Sequence, residues 1–138
     1  MLTIKRLLIA SAAIVLAASI TACGGTTPKS ASPAVTPKLT TTQQVIDALG
    51  QHGITVSNVK QVETQLYSRE NVSGDIDGAY VEIATFDGTT NRDQYVQVAR
   101  QVGGGMVLVG DVWVMLIDRQ AIVDKVRNAI GGTDVTAG

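Results

Sequence analysis

Few residues in this chain have the types and spacing that chemistry requires, and the clearest of them is Cys23. It is the only cysteine and directly follows Ile20-Thr21-Ala22. A single thiol cannot form a disulfide within the chain, which leaves an intermolecular bridge, a free thiol or modification of the sulfur. Its position at the end of an apolar stretch favours modification, and we predict acylation of Cys23.

A second candidate is an acidic stretch that begins like a calcium loop. Asp75 and Asp77 occupy the first and third positions, as in an EF-hand. The fifth and twelfth positions require oxygen ligands, but Ala79 and Phe86 stand there. We therefore interpret the stretch as a hairpin turn.

The remaining candidates also favour structural roles. His52 precedes Gly53 and has no identifiable nucleophile beside it, a pattern typical of a helix end. The glycines at 103–105 follow a predicted helix and precede a strand, which is the reverse of a phosphate-binding loop. The sequence thus predicts no catalytic residue, no metal site and no cofactor.

The N-terminal residues have the three parts of an export signal. Lys5 and Arg6 precede an apolar run over 7–20, and small residues lie before Cys23. The segment 20–23 resembles the bacterial lipobox. That resemblance implies a signal peptide over 1–22, cleavage before Cys23, and a diacylglycerol or palmitate-type lipid on its sulfur. It also implies that the protein is held on the outer face of the cell membrane.

The segment between this cysteine and the first periodic residues cannot build a core. Residues 24–38 consist almost wholly of Gly, Thr, Pro, Ser, Ala and Lys, with Pro28, Pro33 and Pro37 evenly spaced. This composition predicts a disordered tether, reaching roughly 45 Å if fully extended as polyproline II. We therefore divide the chain into a signal peptide (1–22), a lipidated tether (23–38) and one small domain (39–138).

The periodicity of the third segment predicts an α+β domain. Helices are expected over about 42–51, from Thr90 or Asn91 to the glycines at 103, and over 119–130. Strands are expected over 79–86, 106–109 and 112–117, with 71–78 as a turn and Gly110-Asp111 as a type II′ hairpin loop. A strand is also favoured over 54–66, although Val59, Val62 and Leu66 fit a helical stripe as well. The prediction is a sheet of about four antiparallel strands with helices on one face, in the order α-β-β-α-β-β-α.

The segments 78–86 and 107–114, with the helix beginning near Arg92, resemble a loose group of small exported actinobacterial lipoproteins of unassigned function. The Leu-Gly-Arg-Pro loop that members often carry is replaced here by 67–74. The resemblance implies the fold and the export route, and it supplies no catalytic residues.

Charge and aromatic positions limit the function classes. From Leu39 onward seven Lys and Arg oppose twelve Asp and Glu, a net charge of −5 that disfavours nucleic acid. Trp113 lies on the side of its predicted strand that another element would have to cover. Tyr80 and Phe86 lie on the corresponding side of the predicted strand over 79–86. Either a helix or the N-terminal segment covers these side chains, or they form an aromatic interaction surface.

Two functions remain open. The first is a non-enzymatic binding module of the cell envelope, whose partner is an envelope protein or the cell wall. It would use the exposed sheet face or the acidic turn at Asp75 and Asp77. Small lipoproteins with a similar layout are used by temperate phages for superinfection exclusion, which suggests a prophage-encoded form. The alternative is an envelope enzyme or metal-dependent hydrolase built from scattered carboxylates.

Overall fold

The computed structural model describes residues 38–136, which form three helices and six strands. The helices are α1 (Thr42–Gln51), α2 (Thr89–Val102) and α3 (Gln120–Ile130). The strands are β1 (Ser57–Gln61), β2 (Glu70–Ile76), β3 (Ala79–Thr85), β4 (Met106–Val109), β5 (Trp113–Ile117) and β6 (Thr133–Asp134). The predicted signal peptide, Cys23 and all of the tether except Lys38 lie outside the described residues.

All six strands belong to one sheet with the order β1-β2-β3-β5-β4-β6, and every neighbouring pair is antiparallel. The α+β class and the antiparallel sheet are therefore confirmed. The predicted count of about four strands is too low, because the composition predicts a turn where β2 lies and a polar tail where β6 lies. The observed order is α-β-β-β-α-β-β-α-β.

Helices cover both faces of the sheet, so the prediction of helices on one face is wrong. On the first face, α1 and α3 bury a large apolar cluster against side chains that include Val81, Ile83 and Met115. On the second face, α2 packs over β4 and β5 and buries a smaller cluster that includes Val107 and Val114. Strands β4 and β5 carry apolar residues on both sides, which is why both sides need a helix.

The helix boundaries follow local signals where the sequence offers a strong one. The predicted capping box at the start of α1 is present, since Thr41 accepts from the Gln44 backbone and the Gln44 side chain accepts from the Thr41 backbone. Helix α2 begins before the predicted caps, with Gly88 at its N-cap, and ends at left-handed Gly103. Helix α3 lies within the expected range.

The segment predicted as a turn over 71–78 is mainly strand β2. Its polar residues Asn71, Ser73 and Asp75 alternate with apolar-face positions and pair in register with β3. The turn itself is limited to Asp77 and Gly78, whose φ angles of 50° and 74° fit a type I′ hairpin. Strand β1 is correspondingly short, at five residues of the predicted 54–66.

The loop between β4 and β5 also differs from its prediction. A type II′ turn requires a positive φ at Gly110, but Gly110 is not among the residues with positive φ. Gly110 instead pairs with Trp113 through its backbone N–H, 2.9 Å from the Trp113 carbonyl oxygen. A Cβ at Gly110 would overlap the Trp113 indole. Glycine is therefore needed here to leave room for the indole ring, and not to adopt the backbone conformation of the turn.

Candidate functional site

The three aromatic residues predicted as a possible interaction surface do not form one. Trp113 is 3% exposed in the first-face cluster, beneath helices α1 and α3. Phe86 is 2% exposed on the second face, where its ring centroid lies 5.2 Å from that of Tyr95 in α2. Tyr80 alone is exposed, at 49%. Of the two alternatives, cover by helices is therefore the one observed for Trp113 and Phe86, which lie on opposite faces of the sheet, and Tyr80 is the one of the three that remains exposed.

The two carboxylates of the predicted acidic turn have separate partners. Asp75 Oδ2 accepts from Asn58 Nδ2 at 2.8 Å, whereas Asp77 Oδ2 lies 2.6 Å from Lys125 Nζ on α3. The two carboxylates therefore share no partner among these contacts. Within residues 38–136, no group of three His, Cys, Asp or Glu side chains could hold a metal ion.

Among residues 38–136, no helix packs over the second face where it reaches β1, β2 and the start of β3, although Asn71 and Ser73 of β2 are buried there. Helix α2 packs on the same face, but against β4 and β5, toward the opposite edge of the sheet. Cross-strand pairs place Asp75 beside Tyr80 and Ser73 beside Glu82 on this uncovered part. We call this region the open sheet face and define it by Asn58, Lys60, Ser73, Asp75, Tyr80 and Glu82.

A hollow of about 220 Å³ lies on the open sheet face, lined by Asn58, Lys60, Ser73, Gly74, Asp75 and Tyr80. An irregularity in β1 helps to shape it, because the register of β1 shifts between Ser57 and Lys60 and Asn58 has a φ of 53°. Such a bulge re-aims side chains, and here the Asn58 amide reaches Asp75. The hollow therefore has a fixed polar wall.

Gly74 allows β1 to lie close enough to complete that hollow. A Cβ added to Gly74 would lie 2.8 Å from Val56 Cγ1 and 2.9 Å from the Ser57 carbonyl oxygen. Contacts this short would force β1 away from β2. The glycine thus has a packing role in the region that carries the candidate site.

Glu82 lies at the boundary between the open sheet face and α2. Burial raises the pKa of the Glu82 carboxyl, and the hydrogen bond from Asn71 Nδ2 to Oε1 (3.3 Å) opposes that shift. Burial, followed by the charges of Glu82 and Tyr80, raises the pKa of the Tyr95 phenol. Asn71 is fully buried and its Oδ1 has no hydrogen-bond partner. Glu82, Asn71 and Tyr95 thus form a polar group beside the α2 cluster.

A separate exposed patch lies at the loop between β1 and β2. Leu66 and Tyr67 have φ angles of 34° and 69° and are 50% and 58% exposed. The Ser68 N–H donates to the Gln65 carbonyl oxygen at 2.9 Å, which closes the turn around them. Leu66 also lines a hollow of about 140 Å³ beside α2, with Val98 and Val102. The patch therefore combines left-handed backbone with exposed apolar side chains.

The alternation of polar and apolar residues over 71–76 indicates the strand that carries part of the open sheet face, although the composition of this segment favours a turn. Asn71, Ser73 and Asp75 alternate with Val72, Gly74 and Ile76, and this two-residue period indicates a strand with one polar side. The residues Asn, Ser, Gly and Asp also favour turns, which is why the composition of 71–78 predicts a turn. His52 is exposed at the C-cap of α1, where a helix-end residue was expected.

No family model, curated protein or solved structure matches the chain. Among residues 38–136, none of the helices has the length and apolar character needed to cross a membrane.

Proposed function

We propose that the protein is an envelope lipoprotein, anchored through lipid on Cys23, whose folded domain is a non-enzymatic binding module that uses the open sheet face. The observation that carries the proposal is Tyr80. It is a half-exposed aromatic residue at the wall of a polar hollow, on the part of the sheet that α2 does not cover. Tyrosine is enriched at binding surfaces because its ring offers contact area and its hydroxyl a polar end.

The position at which the chain enters the domain supports this arrangement. Lys38 Nζ lies 3.4 Å from Asp111 Oδ2, and Leu39 packs against the first-face cluster, so the entry point lies near the β4–β5 loop. Tyr80 is at the opposite end of the sheet, where its carbonyl oxygen accepts from the Asp118 N–H after β5 ends. If the tether is attached at Lys38, the hollow therefore lies toward the opposite end of the sheet from the attachment point.

An envelope hydrolase is the second candidate, and Glu82 is the observation that favours it. Carboxyl groups with perturbed pKa values often mark catalytic sites, and the pKa of the Glu82 carboxyl is raised, chiefly by burial. Catalysis by a carboxylate pair would need a second acid nearby, but Asp75 is hydrogen-bonded to Asn58 and pairs in register with Tyr80. The binding module is therefore preferred.

The anchor is tested by Cys23→Ala in the full chain expressed in a bacterial host. Loss of the sulfur should leave the protein unacylated and its leader largely uncleaved, because the lipoprotein peptidase requires the modified cysteine. Intact-protein mass and membrane fractionation measure both effects. Wild-type maturation and membrane association of the variant would contradict the anchor.

The binding surface is tested by placing a photo-crosslinking amino acid at Tyr80 in the lipidated protein. Asn128 is the control position, because it is exposed on α3 and belongs to neither surface patch. We expect envelope material to crosslink at position 80 and not at 128, and Asn58→Gly to reduce that yield. Equal crosslinking at the two positions would contradict a role for the open sheet face.

The hydrolase is tested separately with Glu82→Gln, which keeps the side-chain shape. A binding module should retain crosslinking at position 80 in this variant, whereas an enzyme should lose turnover of envelope substrates. Loss of a hydrolytic activity that the wild-type protein shows would favour the second candidate.

A further inference from the structure

We infer that the hollow on the open sheet face binds one neutral sugar ring of an envelope glycan. This inference rests on the proposed binding function and names the ligand class for the same site. The charges that line the hollow, the exposed ring of Tyr80 and the size of the space support this ligand class.

The charges that line the hollow favour a neutral ligand. Lys60 and Asp75 have opposite charges and line the same space. Because these two charges oppose each other, the hollow offers little net attraction to a cation or to an anion. A neutral ligand that carries hydroxyl groups loses nothing by lacking a charge and can use both side chains as hydrogen-bond partners.

The polar wall is suited to hydroxyl groups. The bond from Asn58 Nδ2 to Asp75 Oδ2 holds both side chains in place. This bond leaves Asn58 Oδ1 and Asp75 Oδ1 as acceptors, because an amide oxygen and each carboxylate oxygen can accept independently. Lys60 also lines the hollow and contributes donors. The bond between Asn58 and Asp75 lowers the ordering cost of binding for the acceptors.

Tyr80 supplies an apolar surface beside these polar groups. It is the cross-strand neighbour of Asp75, and half of its surface is exposed. The face of an aromatic ring has a negative potential that attracts polarised C–H groups. A sugar ring carries such C–H groups on its faces and hydroxyl groups at its edge, so it can contact the ring and the polar wall together.

The size of the hollow limits the ligand to one small ring. Its volume of about 220 Å³ is below the roughly 300–1,000 Å³ of typical small-molecule pockets. We expect weak binding to a single sugar, with a Kd on the order of 1 mM. A polymer with repeated units, met by many anchored copies, would bind far more tightly through effective concentration.

Ligand-observed NMR on the full lipidated chain in phosphocholine micelles tests the site directly. The probes are methyl glycosides of glucose, galactose, arabinose and N-acetylglucosamine. We expect saturation transfer to at least one of them, an affinity loss of about tenfold or more in Tyr80→Ala, and less than about threefold in Tyr80→Phe. Tyr67→Ala is the matched control, since Tyr67 is similarly exposed at 58% but does not line the hollow.

A second variant separates the hollow from general unfolding. Asn58→Gly suits the backbone, because φ is 53° at this position, and it removes one polar wall group. It should weaken glycoside binding by several-fold while the melting temperature remains unchanged or rises. Binding that is unaffected by both Tyr80→Ala and Asn58→Gly would overturn the assignment.

Salt dependence tests the neutral character of the ligand. The Debye length falls from about 30 Å at 0.01 M to about 3 Å at 1 M salt, yet binding of a neutral glycoside should change little over this range. Chitosan and polygalacturonate serve as cationic and anionic comparators and should bind less than a neutral glucan. Preference for either charged polymer, or no transfer to any neutral glycoside, would overturn the inference.

The crosslinking experiment distinguishes failure of this inference from failure of the proposed function. Position-specific crosslinking at Tyr80 to a protein, together with no binding of neutral glycosides, would contradict the sugar as the ligand. The same result would support the proposed binding function. Glycan crosslinking at Tyr80 that Asn58→Gly reduces would support both.

Discussion

The two faces of the single sheet differ in how completely helices cover them, and strand β3 shows this contrast most directly. Its residues Val81 and Ile83 point to the first face and are fully buried beneath the helices there. Tyr80 and Glu82, on the alternate positions, point to the second face and are half-exposed and partly buried. One strand thus belongs at once to the main core and to a candidate binding surface.

The contrast indicates that the residues most important for stability lie on the first face, whereas the proposed binding surface lies on the second. Two helices cover the first face and one helix covers part of the second. Side chains of the open sheet face are therefore free to vary without creating cavities in the main core. Substitutions on the two faces should differ strongly in their effect on unfolding, and the following variants test that difference.

The largest effect is expected for Trp113→Ala on the first face. Removing a buried indole should lower the free energy of unfolding by about 3–5 kcal/mol, because a large cavity remains. Tyr80→Ala is the control on the open sheet face and should change it by no more than about 0.5 kcal/mol. Chemical denaturation of the full chain in micelles measures both, and similar losses would contradict the separation of the faces.

A smaller loss, of about 1–3 kcal/mol, is expected for Gly110→Ala. The new methyl group would overlap the Trp113 ring and force it from its site. Gly50→Ala is the matched control, because its Cβ would meet nothing within 4 Å and Gly50 lies within α1. That control should gain roughly 0.5–1 kcal/mol in unfolding free energy. A gain at both positions would show that the ring does not depend on Gly110.

On the second-face side, Tyr67→Gly should stabilise the domain by roughly 0.5–1 kcal/mol. Tyr67 has a left-handed φ of 69°, which glycine adopts without the steric cost that a side chain imposes. Gly78→Ala should have the opposite sign, since Gly78 has a φ of 74°. Thermal melting of the two variants gives the comparison, and a stability loss in Tyr67→Gly would reveal contacts that outweigh the strain.

The smallest effect concerns the pH dependence that Glu82 contributes at the edge of the second face. Because burial raises the folded-state pKa above its ordinary value of 4.5, the folded chain binds more protons than the unfolded chain. Stability from this group is present below pH 4.5 and is lost as pH rises through the higher folded pKa. Glu82→Gln should remove that slope and raise stability near pH 7, by less than about 1 kcal/mol because Glu82 is partly exposed. An unchanged slope between wild type and variant would exclude Glu82 as its source.

The sequence alone determined the elements whose signals are local. Residues Thr41 and Gln44 specify the start of α1 through a capping box, and Gly103 ends α2 in the left-handed conformation that glycine favours. The apolar runs of β4 and β5 were recognisable because buried strands carry few polar residues. These features depend on neighbours within a few positions, so the sequence contains all of the relevant interactions.

Only the tertiary structure decided which faces were covered and where the candidate site lies. Trp113 and Phe86 have the same apolar character as residues at an interface, and their burial depends on helices distant in the sequence. Strand β2 has the composition of a turn, but its pairing with β3 and β1 satisfies its backbone and turns Ser73 and Asp75 toward the hollow. Pairing and coverage involve residues far apart along the chain, and local composition does not specify which distant partner is present.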